Sequence, residues 1–297
     1  MYEDPNANYG FRKTSRGEEE YVNKNSFDKK TLYREWTRGQ GRRVHSRIHG
    51  SNSPEETDHD LTLLFGMSAQ DFIEKKDTIP ECWEHDIVGS TGWDSLQQLF
   101  YILNHTCKYA VLRNFEGLPG SFHYGEHEDI DILADNYENI VGISNSVPVF
   151  NKDYRVQCLC NINGHKTQFD FRYIGDGYYD YKWEKAIIDN RIKYNGIYVP
   201  NDNDYSYMLL YHALIHKRRI ADDYTTRLNQ RFGQDAWNET ILKEYLDSNG
   251  YKYTEPYDLS VYFNNDIAKT EICAKRKLKY FWTKTKHKIK QVLVKSK

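Results

Sequence analysis

Apolar residues in the middle of this chain recur at two spacings, and each spacing predicts a different element. After Asp94 they fall three and four positions apart, which predicts an amphipathic helix. Residues 109–112 are continuously apolar and predict a buried strand. A loop rich in glycine and proline follows, and residues 129–133 then alternate between aspartate and aliphatic side chains. This alternation predicts a second strand with one buried face. The apolar positions of the helix are Leu96, Leu99, Phe100 and Leu103.

Patterns on both sides of this segment predict further elements. Ser53, Pro54 and two acids are typical of a helix start. Residues 154–161 and 166–174 predict a hairpin that turns at Asn163-Gly164. A second tight turn is predicted at residues 194–197. The apolar face of the Ser53 helix is predicted to comprise Leu61, Leu64 and Phe65. Further helices are predicted at residues 136–143, 180–192, 204–217, 224–232 and 236–249.

These patterns divide the chain into four segments. The predicted strands and helices together indicate an α+β fold. Residues 1–30 are polar with little periodicity and predict an extended arm. Residues 31–90 contain the Ser53 helix and a connector, and residues 91–265 contain the strands and the later helices. Residues 266–297 form a basic tail. We expect a mixed sheet with a helical C-terminal cap, preceded by a small separate element.

Composition argues against membrane-spanning and secreted classes. The 297 residues are 39% apolar and 28% charged, which suits a soluble globular protein with a full core. No apolar run approaches a membrane span, and the N-terminus has no secretory leader. Five cysteines without a repeating framework indicate a reducing compartment. We therefore expect a cytoplasmic protein.

The C-terminal tail is strongly basic although the net charge of the chain is only −2. Residues 275–297 carry ten basic side chains and no acid, so the body is acidic. Phe281, Trp282 and Ile289 lie near one helical stripe, which suits an anionic membrane surface at the inner face of the membrane. A solvated tail is the alternative. The acidic body argues against nucleic acid as a partner.

Asp129 and Asp131 are the first candidate for chemistry. They share one face of the predicted strand, while Ile130 and Ile132 face the core. Two close carboxylates repel each other unless a cation lies between them, and Mg²⁺ or Mn²⁺ prefers carboxylate oxygens. The alternative is a solvated strand edge with unrelated acids. The preceding strand and Gly-Ser loop favour the metal site.

This combination resembles the polymerase-beta-like nucleotidyltransferase superfamily, whose pattern is a Gly-Ser turn, Asp-x-Asp on the next strand and a third carboxylate on a later strand. The resemblance implies that Asp129 and Asp131 hold metal ions, and that Gly120 and Ser121 approach the nucleotide phosphates. The family usually places a helix between the turn and Asp-x-Asp, whereas residues 122–128 are short and polar.

The resemblance also implies a third acid, and the position of one arginine makes it a candidate for contact with the phosphate. Asp170 alternates with Phe169 and Phe171 on a predicted strand, and it would complete the metal site. It could also orient or deprotonate the hydroxyl group of the acceptor. Arg113, at the end of the first strand, is the candidate for stabilising charge on the phosphate.

A cluster of basic residues precedes the Ser53 helix. Arginines beside a helix N-terminus form a phosphate-binding arrangement, or else a basic surface patch. The cluster comprises Arg34, Arg38, Arg42, Arg43, His45, Arg47 and His49.

Residues 37–39 and 48–53 within this cluster resemble the active-site segment of nucleoside diphosphate kinases, and His49 matches the histidine that those enzymes phosphorylate. Where the kinases have Asn, Asp and Glu, this chain has Ser46, Asn52 and Asp60. The resemblance therefore implies a partial kinase-like element, kept either for packing or for phosphate or nucleotide binding, with a secondary phosphate site at Arg38, Arg47 and His49.

His212 and His216 are four positions apart and share a helix face. Three interpretations are open: the histidines form a zinc-binding pair, they form a polar helix edge, or together with Lys217 they line the cleft of an anionic substrate. Residues 108–232 are similar to nucleotidyltransferase-fold proteins associated with bacterial surface-polysaccharide synthesis. That resemblance implies a nucleotide or nucleotide-activated donor and a glycan or other hydroxyl acceptor.

Three functions are consistent with these observations. The first is metal-dependent nucleotidyl or phosphoryl transfer at the acid site. The second is a non-catalytic nucleotide-binding or scaffolding subunit with a degenerate site. The third is phosphohistidine transfer through His49.

Overall fold

The computed structural model describes residues 4–14, 17–36, 49–75, 84–122, 129–152, 154–269, 282 and 285. The chain divides into two compact units, Met1–Val88 and Gly89–Lys297. The predicted α+β class is confirmed, because helices accompany a mixed five-stranded sheet in the described part of the chain. No helix among these residues combines the length and the apolar character that crossing a bilayer requires.

The first unit begins with an antiparallel hairpin of β1 (Tyr9–Lys13) and β2 (Glu19–Asn23). This hairpin differs from the extended arm predicted over residues 1–30. Val22 is buried, and Arg12 donates two hydrogen bonds to Asp28, at 2.8 and 3.0 Å. These contacts hold the hairpin on the following helix, and the polar composition of the segment concealed them. The helices of this unit are α1 (Lys24–Trp36), α2 (Pro54–Phe65) and α3 (Ala69–Lys75).

Helix α2 begins as its sequence predicts. The side-chain oxygen of Ser53 accepts a hydrogen bond from the backbone N–H of Glu56 at 3.2 Å, and the helix ends at Gly66 with φ 67°, a conformation that favours glycine. Leu61 is buried, but Leu64 is 48% exposed. The predicted apolar face of α2 is therefore only partly buried within the unit.

The second unit is built on a sheet with strand order β3-β4-β7-β6-β5. In this sheet β4 and β7 run parallel, and the other neighbouring pairs run antiparallel. The hairpin between β6 and β7 turns at Asn163 and Gly164, whose φ values of 49° and 77° are those of the predicted tight turn. The strands are β3 (Tyr109–Val111), β4 (Ile130–Ala134), β5 (Val147–Pro148), β6 (Gln157–Ile162) and β7 (His165–Tyr173), with a separate pair β8 (Ile192–Tyr194) and β9 (Ile197–Val199).

The helices of the second unit agree with their predicted positions to within a few residues. Side-chain oxygens cap the N-termini of most of them, for example Ser95 before α4 and Asn136 before α5. A π-helical turn, His212–His216, continues α7, where the apolar spacing predicted an unbroken α-helix. The helices are α4 (Leu96–Thr106), α5 (Tyr137–Ile143), α6 (Tyr181–Asp189), α7 (Asp202–Tyr211), α8 (Asp222–Phe232) and α9 (Glu239–Asn249).

An aromatic core joins the later helices to one face of the sheet. Trp183 of α6 is fully buried beside Tyr211 of α7, and its ring N–H donates to Asp204 at 3.0 Å. Leu133 of β4 belongs to the same core cluster. Because side chains two apart on a strand share a face, Asp131 lies on the side of β4 that faces these helices.

Candidate active site

Two aspartates lie opposite each other on the parallel strands β4 and β7. Asp131 and Asp170 are register partners, and neighbouring strands in a sheet lie about 4.8 Å apart. Both residues are buried. Asp129 immediately precedes β4 and shares the face of Asp131 by strand alternation. The structure therefore brings the three acids to one region of the sheet.

The environment of Asp170 favours a bound cation. Burial raises the pKa of Asp170 to about 6; Arg172 opposes this rise, and the charges of Asp131 and Asp129 add to it. Oδ1 of Asp170 is buried and has no hydrogen-bond partner among the described residues. A divalent cation would satisfy this oxygen and relieve the repulsion between the acids. The chemistry of these donor groups therefore fits Mg²⁺ or Mn²⁺.

Asp170→Asn is expected to gain stability relative to the unmodified protein as the pH rises in a chelator. Because the pKa of the Asp170 carboxyl group is higher in the fold than in the unfolded chain, the protonated form of this group stabilises the fold. This contribution is complete below about pH 4 and is lost as the pH rises through about 6. We expect a relative gain of roughly 2 kcal/mol between pH 4.5 and 7.5, measured by urea unfolding. Asp135→Asn, at an exposed site just after β4, is the control and should show no such gain. If the difference in unfolding free energy between Asp170→Asn and the unmodified protein does not change with pH, Asp170 ionises in the fold as it does in the unfolded chain.

Arg113 contacts the acid group directly. Its guanidinium lies 2.8 Å from the carboxylate of Asp131, and both side chains are almost completely buried. Burial lowers the pKa of Arg113, but the negative charge of Asp131 and the nearby Tyr178 outweigh this effect, so the pKa lies above its ordinary value. Arg113 is therefore charged and paired with a candidate metal ligand, a contact that the sequence did not predict.

This ion pair also affects how the acids could hold a metal ion. Among the described residues, the group with three ligand atoms within 4.8 Å of one another is His49, Glu56 and Asp60, in the first unit. The three acids of the sheet are spread more widely than this. A metal ion at the sheet would therefore require the three carboxylates to move closer together, and Asp131 would divide its charge between the ion and Arg113.

A hydrogen-bonded chain continues from Arg113 to the π-helical turn. Arg113 donates to the hydroxyl of Tyr178 at 3.2 Å, and this hydroxyl lies 2.7 Å from Nδ1 of His212. His212 and His216 are buried, so the interpretation as a polar helix edge is wrong. Burial lowers the pKa of His212 well below its ordinary value, and the charge of Arg113 acts in the same direction. His212 is therefore neutral near pH 7.

Arg172 organises a second set of acids beside the first. It lies two residues after Asp170 on β7 and pairs with Asp258 at 2.9 Å. Its guanidinium is also 3.9 Å from both Asp170 and Asp176, and it stacks over the ring of Tyr178 at 4.3 Å. Arg172 thereby links the third acid of the site to the segment that follows α9.

Tyr178 and Asp258 are the site residues that sequence analysis missed. Tyr178 follows Gly175 and Gly177, and both glycines have positive φ values, of 92° and 76°. Two glycines so close together indicate a sharp bend after β7, and that signal could have placed the next side chain near Asp170. No sequence signal identifies Asp258, because its partner Arg172 is distant in the chain.

The remaining predicted residues of this unit lie at the surface. Gly120 and Ser121 are exposed in the loop after β3, where the backbone N–H of Ser121 donates to Gly117 at 2.7 Å. Lys217 is exposed directly after the π-helical turn, with its ammonium 6.0 Å from the ring centroid of Tyr224. Besides burial, the positive charge of Lys217 lowers the pKa of His212, so Lys217 lies near the histidine end of the site.

His49 is the described member of the secondary phosphate site, whereas Arg38 and Arg47 lie outside the described residues. Nε2 of His49 lies 2.6 Å from Asp60 of α2, and its side chain is 63% exposed. The loop after His49 is held by the ammonium of Lys30, which donates to Gly50 and Asn52 at 2.8 and 2.6 Å.

Glu56 is the third member of the group formed with His49 and Asp60, and it has a partner of its own. Its carboxylate accepts a hydrogen bond from the backbone N–H of Asn52. Hydrogen bonding between the loop and α2 therefore accounts for this group without a metal ion.

Comparison with family models, curated proteins and solved structures found no match to this chain. The function is therefore inferred from the residues and their arrangement.

Proposed function

We propose that this protein is a metal-dependent nucleotidyl- or phosphoryl-group transferase with a nucleotidyltransferase-like fold and an active site at Asp129, Asp131 and Asp170. The pairing of Asp131 with Asp170 on buried parallel strands carries this proposal. Buried acids this close remain ionised together when a cation neutralises them. Mg²⁺ and Mn²⁺ are the ions that this set of carboxylates would prefer.

The proposed roles of the residues follow from their positions. A bound metal ion would neutralise and orient the phosphate groups of the donor. Asp129 and Asp131 would hold it from β4. Asp170 would orient the acceptor hydroxyl or accept its proton. Arg113 and Lys217 would supply positive charge to the phosphates.

The proposed substrates are a nucleotide or nucleotide-activated donor and a glycan hydroxyl acceptor, as in surface-polysaccharide synthesis. The sequence resemblance supports this assignment. The basic tail would hold the enzyme at the cytoplasmic face of an anionic membrane. That part of the proposal rests on the charge and the apolar spacing of the sequence, because within residues 275–297 only Trp282 and Thr285 belong to the described residues.

A non-catalytic nucleotide-binding or scaffolding subunit is the second candidate, and the ion pair between Arg113 and Asp131 favours it. A buried guanidinium already neutralises one of the three acids. In such a protein, Arg113 would take the place of a metal ion permanently, and nucleotide binding would not depend on divalent cations.

Thermal stabilisation by nucleotides tests the proposal. The unmodified protein is mixed separately with CTP, ATP, GTP or UTP, with Mn²⁺ or with a chelator. At least one nucleotide is expected to raise the Tm by several degrees in Mn²⁺ only, because a ligand that binds the folded state stabilises it. Asp131→Asn should abolish this effect, and Asp135→Asn should preserve it. Stabilisation that persists in the chelator would favour the non-catalytic nucleotide-binding subunit, and stabilisation by none of the four would contradict the transferase.

A further inference from the structure

The two ring nitrogens of His212 have different surroundings. Nδ1 lies 2.7 Å from the hydroxyl of Tyr178. Nε2 is buried and has no hydrogen-bond partner among the described residues. The residue itself is only 5% exposed. A buried polar group without a partner destabilises a fold by about 1–3 kcal/mol, so such a group is expected to have a ligand.

The directions of the hydrogen bonds determine which nitrogen of His212 carries the proton. A guanidinium can only donate, so Arg113 donates to the oxygen of Tyr178 at 3.2 Å. The Tyr178 hydroxyl is buried, and among the described residues Nδ1 of His212 is the acceptor within hydrogen-bond distance of its hydrogen, so the hydroxyl donates to Nδ1. A neutral imidazole has one N–H group, and here it lies on Nε2. Nε2–H is therefore a buried donor without an acceptor in the described part of the chain.

The charges around His212 indicate the chemistry of the missing acceptor. Arg113, Lys217 and Arg172 all act electrostatically on the imidazole. Arg113 and Arg172 are already paired with Asp131 and Asp258, and the additional positive charge of Lys217 favours an anionic oxygen over a cation. The turn that carries His212 is π-helical, an irregularity that is frequent at functional sites.

His212 is also connected to the acid site. The hydrogen bonds and the ion pair run from His212 through Tyr178 and Arg113 to Asp131. A ligand that contacts both ends of this chain must carry an anionic group large enough to reach from the acids to the imidazole. A diphosphate or triphosphate has oxygens at several positions along its length.

We propose that Nε2–H of His212 donates a hydrogen bond to a phosphate oxygen of the donor substrate, which makes His212 a substrate-binding residue. This inference rests on the proposed function, because the acid site and its metal ion would hold the other end of the phosphate chain. The ligand class is a nucleoside diphosphate or triphosphate, or pyrophosphate itself.

Two substitutions of His212 separate binding from structure. Asparagine retains an acceptor near the position of Nδ1 but lacks a donor at the position of Nε2. Glutamine places an amide N–H near the position of Nε2 but lacks the acceptor for Tyr178. We expect His212→Asn to weaken Mn²⁺-pyrophosphate binding about tenfold to a hundredfold, as loss of a hydrogen bond to a charged group does. Compared with His212→Asn, His212→Gln should retain more of the affinity for Mn²⁺-pyrophosphate and lose more thermal stability.

Isothermal titration with Mn²⁺-pyrophosphate measures the affinities, and His165→Asn, at an exposed histidine at the start of β7, is the control. Equal affinity of His212→Asn and the unmodified protein would overturn this inference and leave the proposed function standing. Absence of binding by the unmodified protein would contradict the proposed function itself, and this inference with it.

Proton–nitrogen NMR of the imidazole tests the assignment without any substitution. The unmodified protein should show the His212 proton on Nε2, and its signal should shift when Mg²⁺ and pyrophosphate are added. A proton on Nδ1, or no shift at saturating pyrophosphate, would overturn the inference even if His212→Asn fails to fold.

Discussion

Arg113→Gln is expected to lose about 3–5 kcal/mol of folding free energy in a chelator, and to recover much of this loss in Mn²⁺. The substitution removes the buried cation that neutralises Asp131, so it leaves an uncompensated carboxylate inside the fold. A metal ion can replace the guanidinium at that carboxylate. The variant should therefore be stabilised by Mn²⁺ more strongly than the unmodified protein, in which Arg113 already neutralises that carboxylate.

Urea unfolding in a chelator and in Mn²⁺ measures both parts of this prediction. Arg219→Gln removes an exposed arginine and provides the matched control, which should change stability by less than about 0.5 kcal/mol. A large loss that Mn²⁺ does not reverse would show that the ion pair is structural. That result would favour the scaffolding subunit over the transferase.

Arg172→Met is expected to destabilise the protein by about 3–5 kcal/mol whether or not metal is present. Arg172 is buried, with Asp258 at 2.9 Å and both Asp170 and Asp176 at 3.9 Å. Methionine fills part of the volume but leaves these carboxylates without their shared cation. The loss should be smaller at pH 5 than at pH 8, because burial raises the pKa of both Asp170 and Asp176 and so favours their neutral forms at low pH.

Equilibrium unfolding at pH 5 and pH 8 tests this second prediction, with Arg219→Met as the control at an exposed position. A loss below about 1 kcal/mol at pH 8 would mean that these acids are neutral in the fold or that water reaches them. In either case Arg172 would not be what keeps Asp170 and Asp258 in place.

Local signals predicted most of the second unit. The Asn163-Gly164 turn and the cap at Ser95 each depend on residues close together in the chain, and the structure has these features where they were expected. The alternation around Asp131 predicted the strand but also a single buried face, whereas all five residues of β4 are buried. The pairing of Asp131 with Asp170 is less local. It could be anticipated only through a family pattern that places a third acid on a later strand.

The contacts that determine the charge of the site could not be predicted. The pairing of Arg113 with Asp131 depends on how β3 and β4 pair across a loop, and the burial of His212 depends on how the turn after α7 packs; no short sequence window records either. The spacing of His212 and His216 is the same on a buried and on an exposed helix face. In the first unit, the low hydrophobicity of residues 9–36 concealed a hairpin held by one buried valine and one charged pair.

Strands β4 and β7 are neighbours in the sheet, but α5, β5 and β6 lie between them in the chain. Contacts of this kind form slowly, because the chain loses conformational entropy before the contact stabilises it. The β6–β7 hairpin closes through a two-residue turn and can form earlier. We expect the acids to come together late in folding. A nascent chain that has not yet been extended through β7 contains Asp131 but no opposing carboxylate.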